Sequence, residues 1–332
     1  MKLYKKAVAC LLTAAMALSM LTACGGGGTG GGGGGTPGTP DAPGAPGGNT
    51  PSTLPNPDQI VLPDIGEGEG GGEGTETKPT KTPIIDVNNS KLAQYNKKYA
   101  GATECYAELQ LDSYYNGALE RTMQVRMARK NNDFYTGITT STKNQKQQSS
   151  EILMLKNKST WNQYLLIRNS NVIVKASSFD DEDLSLDTGI TTKLPDQMWS
   201  TKVKVGSTEH YAEIYHDGRN EFTLCFAENG DPLYLFVRDL NTKQLVSATL
   251  YKTVRVGSGT SKGLCELPSG FKTYTFNEDF TLSDAKGNKF TLIPVTDGNG
   301  TTTSYNILDK DGKDVTDDFK WVNDFYKMMS GQ

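Results

Sequence analysis

Few residues in this chain have the types and spacing that catalysis or metal binding requires. The two histidines, His210 and His216, lie six residues apart, and no H-E-x-x-H or G-x-S-x-G motif accompanies them. The acidic run at residues 180–183 could offer oxygens to a hard cation, but consecutive acids alternate in direction, which favours a solvated loop. Asp309 and Asp311 match part of a calcium loop, yet Ile307 stands at its first ligand position. The sequence therefore predicts no catalytic, metal or cofactor site.

Cys24 has the most distinctive surroundings of any cysteine. Three lysines in the first six residues precede an apolar run over residues 7–20, which is too short to span a membrane, and Leu-Thr-Ala-Cys follows at 21–24. This arrangement resembles the bacterial lipobox. The resemblance implies that a signal peptide over 1–23 is removed and that Cys24 carries a diacylglyceryl thioether and a further acyl chain such as palmitate, which together anchor the protein to a membrane. The alternative is an ordinary secretory signal with a chance cysteine.

Three other cysteines follow the signal region and Cys24. Cys105, Cys225 and Cys265 each lie in an apolar run, and the chain has no C-x-x-C or C-x-x-H spacing for zinc. An odd number leaves two alternatives open, one disulfide with one free thiol or three buried thiols.

Residues 25–83 differ in composition from the rest of the chain. They contain 20 of the 36 glycines and 10 of the 14 prolines, so they cannot bury enough apolar surface to offset the entropy of ordering. We predict a disordered tether over 24–83, with a root-mean-square reach of about 40 Å. The remainder is nearly neutral, which gives no footprint for nucleic acid. It is predicted to form one β domain over 84–276, with residues 277–332 either continuing its sheet or standing alone.

Apolar periodicity predicts a mainly β fold between two short helices. The first helix is capped at Asn89 or Ser90 and has the apolar stripe Leu92, Tyr95 and Tyr99. Asn116-Gly117 is typical of a two-residue hairpin turn. Short spacings between the later strand-like runs favour antiparallel pairing of sequential neighbours. A second helix is predicted over residues 316–329.

The order of helix, long hairpin and paired strands ends in the phrase Cys-Glu-Leu-Pro-Ser-Gly-Phe-Lys at 265–272. This order and phrase resemble the outer-membrane lipoprotein carrier superfamily, which includes LolA-like and LppX-like lipoproteins. The resemblance covers about residues 88–276. It implies a mainly β fold with a minor α component, built as a curved antiparallel half-barrel-like sheet with short N- and C-terminal helices. It also implies that the concave apolar face holds acyl chains or an acylated peptide.

Eleven apolar residues are candidates for such a ligand face: Met123, Val125, Met127, Leu153, Leu155, Leu165, Ile167, Leu224, Phe226, Leu235 and Val237. A face with two methionines could adapt to a lipid, a lipopeptide or another apolar molecule. The sequence thus predicts a membrane-anchored extracytoplasmic lipoprotein that binds an apolar ligand. The alternative is a structural or interaction lipoprotein of the cell envelope whose sheet is solidly packed. Neither hypothesis includes a nucleic-acid partner. An enzyme is a third alternative, which the lack of an acid/base constellation disfavours.

Overall fold

The computed structural model describes residues 53–63, 83–143, 147–180 and 194–330, and these form one open curved sheet with two α-helices. The first strands are β1 (Ile60–Val61), β2 (Ile84–Ile85), β3 (Glu104–Tyr115), β4 (Ala118–Lys130), β5 (Asp133–Thr142), β6 (Gln148–Asn157), β7 (Thr160–Ile167) and β8 (Val172–Asp180). The later strands are β9 (Met198–Val205), β10 (Thr208–Asp217), β11 (Asn220–Phe226), β12 (Pro232–Asp239), β13 (Leu245–Val256), β14 (Lys272–Phe276), β15 (Thr281–Asp284), β16 (Lys289–Thr296) and β17 (Thr302–Leu308). The helices are α1 (Lys91–Ala100) and α2 (Lys320–Ser330).

The strands pair mostly with their neighbours in sequence, which confirms the predicted mainly β fold. The order across the sheet is β9-β10-β11-β12-β13-β3-β4-β5-β6-β7-β8-β14-β15-β16-β17. The two-residue strands β1 and β2 both pair with the other edge of β9. One pairing, between β8 and β14, is parallel. The sheet thus continues through β14–β17 rather than ending at residue 276.

Local signals place the first helix and hairpin where the sequence predicts them. Ser90 is the N-cap of α1, and its side chain accepts a hydrogen bond from the Ala93 amide. At the β3–β4 turn, Asn116 and Gly117 have φ values of 48° and 76°. Positive φ at both central residues is what a type I′ hairpin turn requires.

The two faces of the sheet are covered by different parts of the chain. Both helices lie on one face, which we call the helix face. There α1 packs on β3, β4, β9, β10 and β11, and α2 packs on β8 and β15–β17. On the opposite face, the segment at residues 257–271, which we call the connector, packs against β3–β8 through Leu264, Cys265 and Phe271.

The opposite face of β9–β13 is covered by residues 53–63, which we call the strap. Leu54, Ile60 and Leu62 pack on an apolar cluster of these strands, and β1 lies within the strap. The strap falls inside the range predicted as a disordered tether, so that prediction does not hold for residues 53–63. Its three apolar side chains pack on the sheet, and its backbone pairs with a strand edge. These contacts order the segment, whereas the surrounding Gly/Pro-rich sequence has few apolar side chains to bury.

The outer edge of β17 is closed by side chains of α2. Asn323 accepts from the Tyr305 amide at 2.7 Å and donates to the Tyr305 carbonyl at 3.0 Å. The Tyr326 hydroxyl donates to the Thr302 carbonyl at 2.7 Å. These bonds occupy backbone groups that an exposed edge would offer to another chain.

Candidate functional site

Nine of the eleven predicted ligand-face residues lie on the helix face. Met123, Val125, Met127, Leu224 and Phe226 belong to the cluster beneath α1, and none is more than 8% exposed. Three more are partly buried at cluster margins, Leu235 beside α1 and Leu165 and Ile167 near α2. Val237 shares the face because it pairs with Phe222. The residues therefore share a face but are divided between two helix-covered clusters.

The prediction is wrong for Leu153 and Leu155, which lie on the opposite face. Leu153 pairs with Tyr135, and both pack beneath the connector with Leu155 at the margin. The cause lies in the run Ile-Leu-Met-Leu at 152–155. All four residues are apolar, so the sequence does not show which of them point to which face of the sheet. Ile152 and Met154 take the helix face instead, where they pack with Trp161.

Side chains from the sheet hold both ends of α1. The Glu213 carboxylate, which is fully buried on β10, accepts from the Lys91 amide at 2.6 Å and the Leu92 amide at 2.9 Å. At the other end, Arg129 on β4 donates to the carbonyls of Tyr99 and Ala102. A negative charge near the N-terminus of a helix and a positive charge near its C-terminus both interact favourably with the helix dipole. The helix is thus clamped by charge at each end.

The surface between α1 and the sheet is rich in tyrosine. Tyr95 and Tyr99 have ring centroids 4.4 Å apart, and burial raises the pKa of both hydroxyls well above the usual value. Burial also raises the pKa of Tyr251 to about 12. The Tyr99 hydroxyl has no hydrogen-bond partner among the described residues. These phenols are neutral at physiological pH and can donate a hydrogen bond but not act as nucleophiles.

The two histidines lie on the opposite face and do not form one site. His210 lies edge-on to Tyr234, and burial lowers its pKa. His216 lies 5.0 Å from Trp199 between ring centroids, and its Nε2 is 3.5 Å from Glu221 Oε2. Six residues of strand separate the histidines by about 20 Å. They cannot act on one substrate atom.

Asp309, from the partial calcium-loop match, has a local structural role. Asp309 Oδ1 accepts from the amides of Asp311 and Lys313, both at 2.9 Å, which makes a hairpin turn. Within the described ranges, no group of three His, Cys, Asp or Glu side chains is placed to hold a metal ion. Residues 181–183 and Cys24 lie outside those ranges. Cys105, Cys225 and Cys265 are buried free thiols, and burial raises the pKa of Cys225 to about 12.

A shallow cavity of about 190 Å³ lies beside α2. Its lining combines aromatic and charged side chains, among them Lys272, Tyr274, Asp317, Asp318 and Trp321. Pockets for drug-sized ligands typically have volumes of about 300–1,000 Å³ and mainly apolar walls. This cavity suits a small polar molecule better than an acyl chain.

Sequence reasoning missed the strap, which brings a charged group of the opposite face into contact with the N-terminal region. Arg238 pairs with Glu221 at 2.7 Å, and both side chains are buried. Arg238 also donates to the Pro63 carbonyl at 2.9 Å. The short apolar run Ile60-Val61-Leu62 was the available signal, but it lies within a segment whose glycine and proline content predicted disorder.

Comparisons with known proteins yield only partial similarities in fold. No family model matches the chain, and no curated protein matches it. Solved structures with some similarity include an uncharacterized conserved protein from Thermus thermophilus, at 11% identity and a TM-score of 0.32, covering 56% of this chain and 96% of that one. A DUF1329 family protein from Desulfovibrio piger has 10% identity and a TM-score of 0.26, covering 53% and 94%. MucB has 10% identity and a TM-score of 0.31, covering 64% and 80%. Similarity at this level carries no functional argument.

Among the described residues, no helix has the length and apolar character needed to cross a bilayer.

Proposed function

We propose that the chain is a lipid-anchored, extracytoplasmic interaction protein of the cell envelope, with a packed sheet as its scaffold. The main support for a packed scaffold is that α1 covers the methionine-rich part of the helix face. Glu213 and Arg129 hold the two ends of this helix. Cys24 supplies the anchor in this proposal. The proposal assigns no catalytic role to the chain.

The energy of α1 packing argues against an easily opened ligand cavity. Leu92 and Tyr99 are each 1% exposed and Tyr95 is 6% exposed. Complete burial of a large apolar side chain contributes about 1.5–3 kcal/mol, and hydrogen bonds to charged groups contribute about 1.5–3 kcal/mol each. A ligand that displaced α1 would have to replace several such contributions. The packed sheet is therefore the favoured state.

A second candidate, apolar-ligand binding beneath α1, is favoured by one observation. The Tyr99 hydroxyl is buried on this face without a hydrogen-bond partner among the described residues. A buried unsatisfied hydroxyl costs about 1–3 kcal/mol. The polar end of a lipid could satisfy it.

Native mass spectrometry of the full chain carrying Cys24→Ala separates the two candidates. The interaction role predicts a bare protein mass after gentle purification and no saturable uptake of a fluorescent fatty acid. Stoichiometric uptake that Tyr99→Phe weakens by about fivefold, equivalent to one hydrogen bond, would instead establish the second candidate. Tyr115→Phe is the matched control, because Tyr115 is 64% exposed at the hairpin end.

Membrane fractionation tests the anchor separately. The unmodified chain should partition with membranes, and Cys24→Ala should release it, because two or three acyl chains supply the binding energy. Retention of the Cys24→Ala protein on membranes would contradict lipidation at this residue.

A further inference from the structure

The opposite face of β9–β13 is an apolar surface that the strap covers. Nine buried residues form it: Val203, Val205, Ala212, Cys225, Leu233, Tyr234, Phe236, Ala248 and Leu250. They belong to β9, β10, β11, β12 and β13. Without the strap, these side chains would form an exposed apolar patch, which on soluble proteins marks an interaction site.

The strap sits on this surface as an added strand. Ile60 pairs with Val205 and Val61 with Lys204, in antiparallel register along the edge of β9 that does not pair with β10. The Gly206 amide donates to the Gln59 carbonyl at 2.9 Å, while the Ile60 and Leu62 side chains turn into the cluster. Backbone bonding to a sheet edge with side chains in a groove is the strand-addition mode of peptide recognition.

Specific recognition comes from the end of the strap. Arg238 is buried, its charge is balanced by Glu221, and it still donates to the Pro63 carbonyl at 2.9 Å. A buried guanidinium that donates to a main-chain carbonyl fixes the position of Pro63 relative to β12. The apolar surface, the β9 edge and Arg238, which together we call the groove, therefore select both the alternation of buried and exposed side chains and their register on β9.

The strap is attached so that it could reach another molecule. The 19 residues from 64 to 82 connect it to β2, and six of them are glycine. A chain of that length spans up to about 60 Å when extended. The strap is held by two paired residues, three apolar side chains and few hydrogen bonds, so exchange leaves the sheet itself intact.

We propose that the groove is an exchangeable strand-binding site and that its second occupant is the strap of another copy of this chain. The peptide known to fit is residues 53–63, and every copy carries it. Exchange of an identical element makes a closed dimer at low cost. A shared membrane surface would raise the effective concentration of the second strap. This inference rests on the proposed interaction role and names the surface that performs it.

Peptide binding tests the groove first. The full chain with Cys24→Ala, Ile60→Asp and Leu62→Asp has an unoccupied groove, and a fluorescent synthetic peptide of residues 53–63 should bind it saturably. The Cys24→Ala chain with its own strap in place should bind the peptide at least about tenfold more weakly, because the open state is a minor population. Val61→Asp is the matched control and should behave like the parent, since Val61 is 62% exposed. Absence of saturable binding to a cooperatively unfolding strap variant would overturn the inference.

Mixing tests the second copy. The tagged strap variant should retain untagged Cys24→Ala chain, through the intact strap of the latter, whereas two strap variants should not associate. Peptide binding without this association would overturn the claim that a second copy is the occupant. If the double-aspartate variant lacks a cooperative transition, Leu54→Ser with Ile60→Ser replaces it in both measurements. Both tests measure binding of the strap, whereas the earlier tests measure fatty-acid uptake and membrane partition, so failure of one set is distinguishable from failure of the other.

Discussion

Helix α1 and the strap cover the two faces of overlapping strands, and they do so in different ways. Helix α1 buries Leu92 and Tyr99 to 1% exposure and is clamped at each end by a charged side chain. The strap pairs through two residues and leaves Val61 62% exposed. The first cover is part of the core. The second resembles a bound peptide, which locates the adaptable surface opposite the predicted ligand face.

The largest expected effect comes from emptying the core beneath α1. Leu92→Ala should lower the free energy of unfolding by about 2–5 kcal/mol, because it removes buried methyl groups and leaves a cavity. Chemical denaturation of the Cys24→Ala chain measures this. Lys97→Ala, at an exposed position of the same helix, should change stability by less than about 0.5 kcal/mol. Equal effects from the two would mean that α1 is not core.

The next effect comes from the charge that holds the N-terminus of α1. Glu213→Gln keeps one oxygen acceptor but removes the charge, so we expect a loss of about 1.5–3 kcal/mol. Hydrogen exchange at the Lys91 and Leu92 amides should rise at the same time. Glu209→Gln is the control, since Glu209 lies on the same strand and is exposed. Unchanged exchange in the Glu213 variant would show that the clamp contributes little.

The packing of α1 on the sheet could be predicted from the sequence, whereas the binding of the strap could not. Leu92, Tyr95 and Tyr99 form a helical stripe after a capping residue, and each piece of that signal is local. The strap offers Leu54, Ile60 and Leu62 among glycines and prolines, and its binding surface comes from strands that lie about 140–190 residues later in the sequence. Only the folded sheet brings that surface together.

Two other features show how far sequence-based prediction reaches: the face of the sheet on which a residue lies, and the pairing of strands that are distant in sequence. Alternation along Met123, Val125 and Met127 predicted a shared face correctly, but the unbroken apolar run at 152–155 gave no phase. Likewise, antiparallel neighbours follow from short turns, whereas the parallel pairing of β8 with β14 depends on the connector crossing the sheet. Non-local packing decides both features.

A smaller effect distinguishes the buried and exposed sides of the strap. Ile60→Ala should reduce the free energy of unfolding by about 1 kcal/mol, because only part of the side chain is removed from water. Val61→Ala should have an effect below about 0.5 kcal/mol. Denaturation of the two variants side by side is the measurement. The reverse order would place the strap in the opposite register on β9.

The smallest effect concerns the connector, the other cover of the opposite face, and it should depend on pH. The Glu104 carboxylate accepts from the Ser261 hydroxyl, the Ser261 amide at 3.0 Å and the Gly259 amide at 2.8 Å. Hydrogen bonds from Ser261 are the main cause that lowers the pKa of Glu104. Since the folded pKa is below the unfolded value of about 4.3, the ionised carboxylate stabilises the fold above that value. The contribution is lost as pH falls through the folded pKa.

Unfolding of Glu104→Gln and its parent should therefore differ at neutral pH and converge in acid. Glu228→Gln provides the control, because Glu228 is exposed and no connector amide bonds to it. A gap between Glu104→Gln and its parent that stays constant through the acid range would mean that the carboxylate does not act through its charge. The difference in unfolding free energy between Glu104→Gln and its parent should also change little when Ile60→Ala is added. The strap and the connector cover separate clusters, and distant sites contribute additively to within about 0.5 kcal/mol. Strong coupling between the two variants would show that the covers of the opposite face open together, and would remove the distinction between an exchangeable strap and a fixed connector.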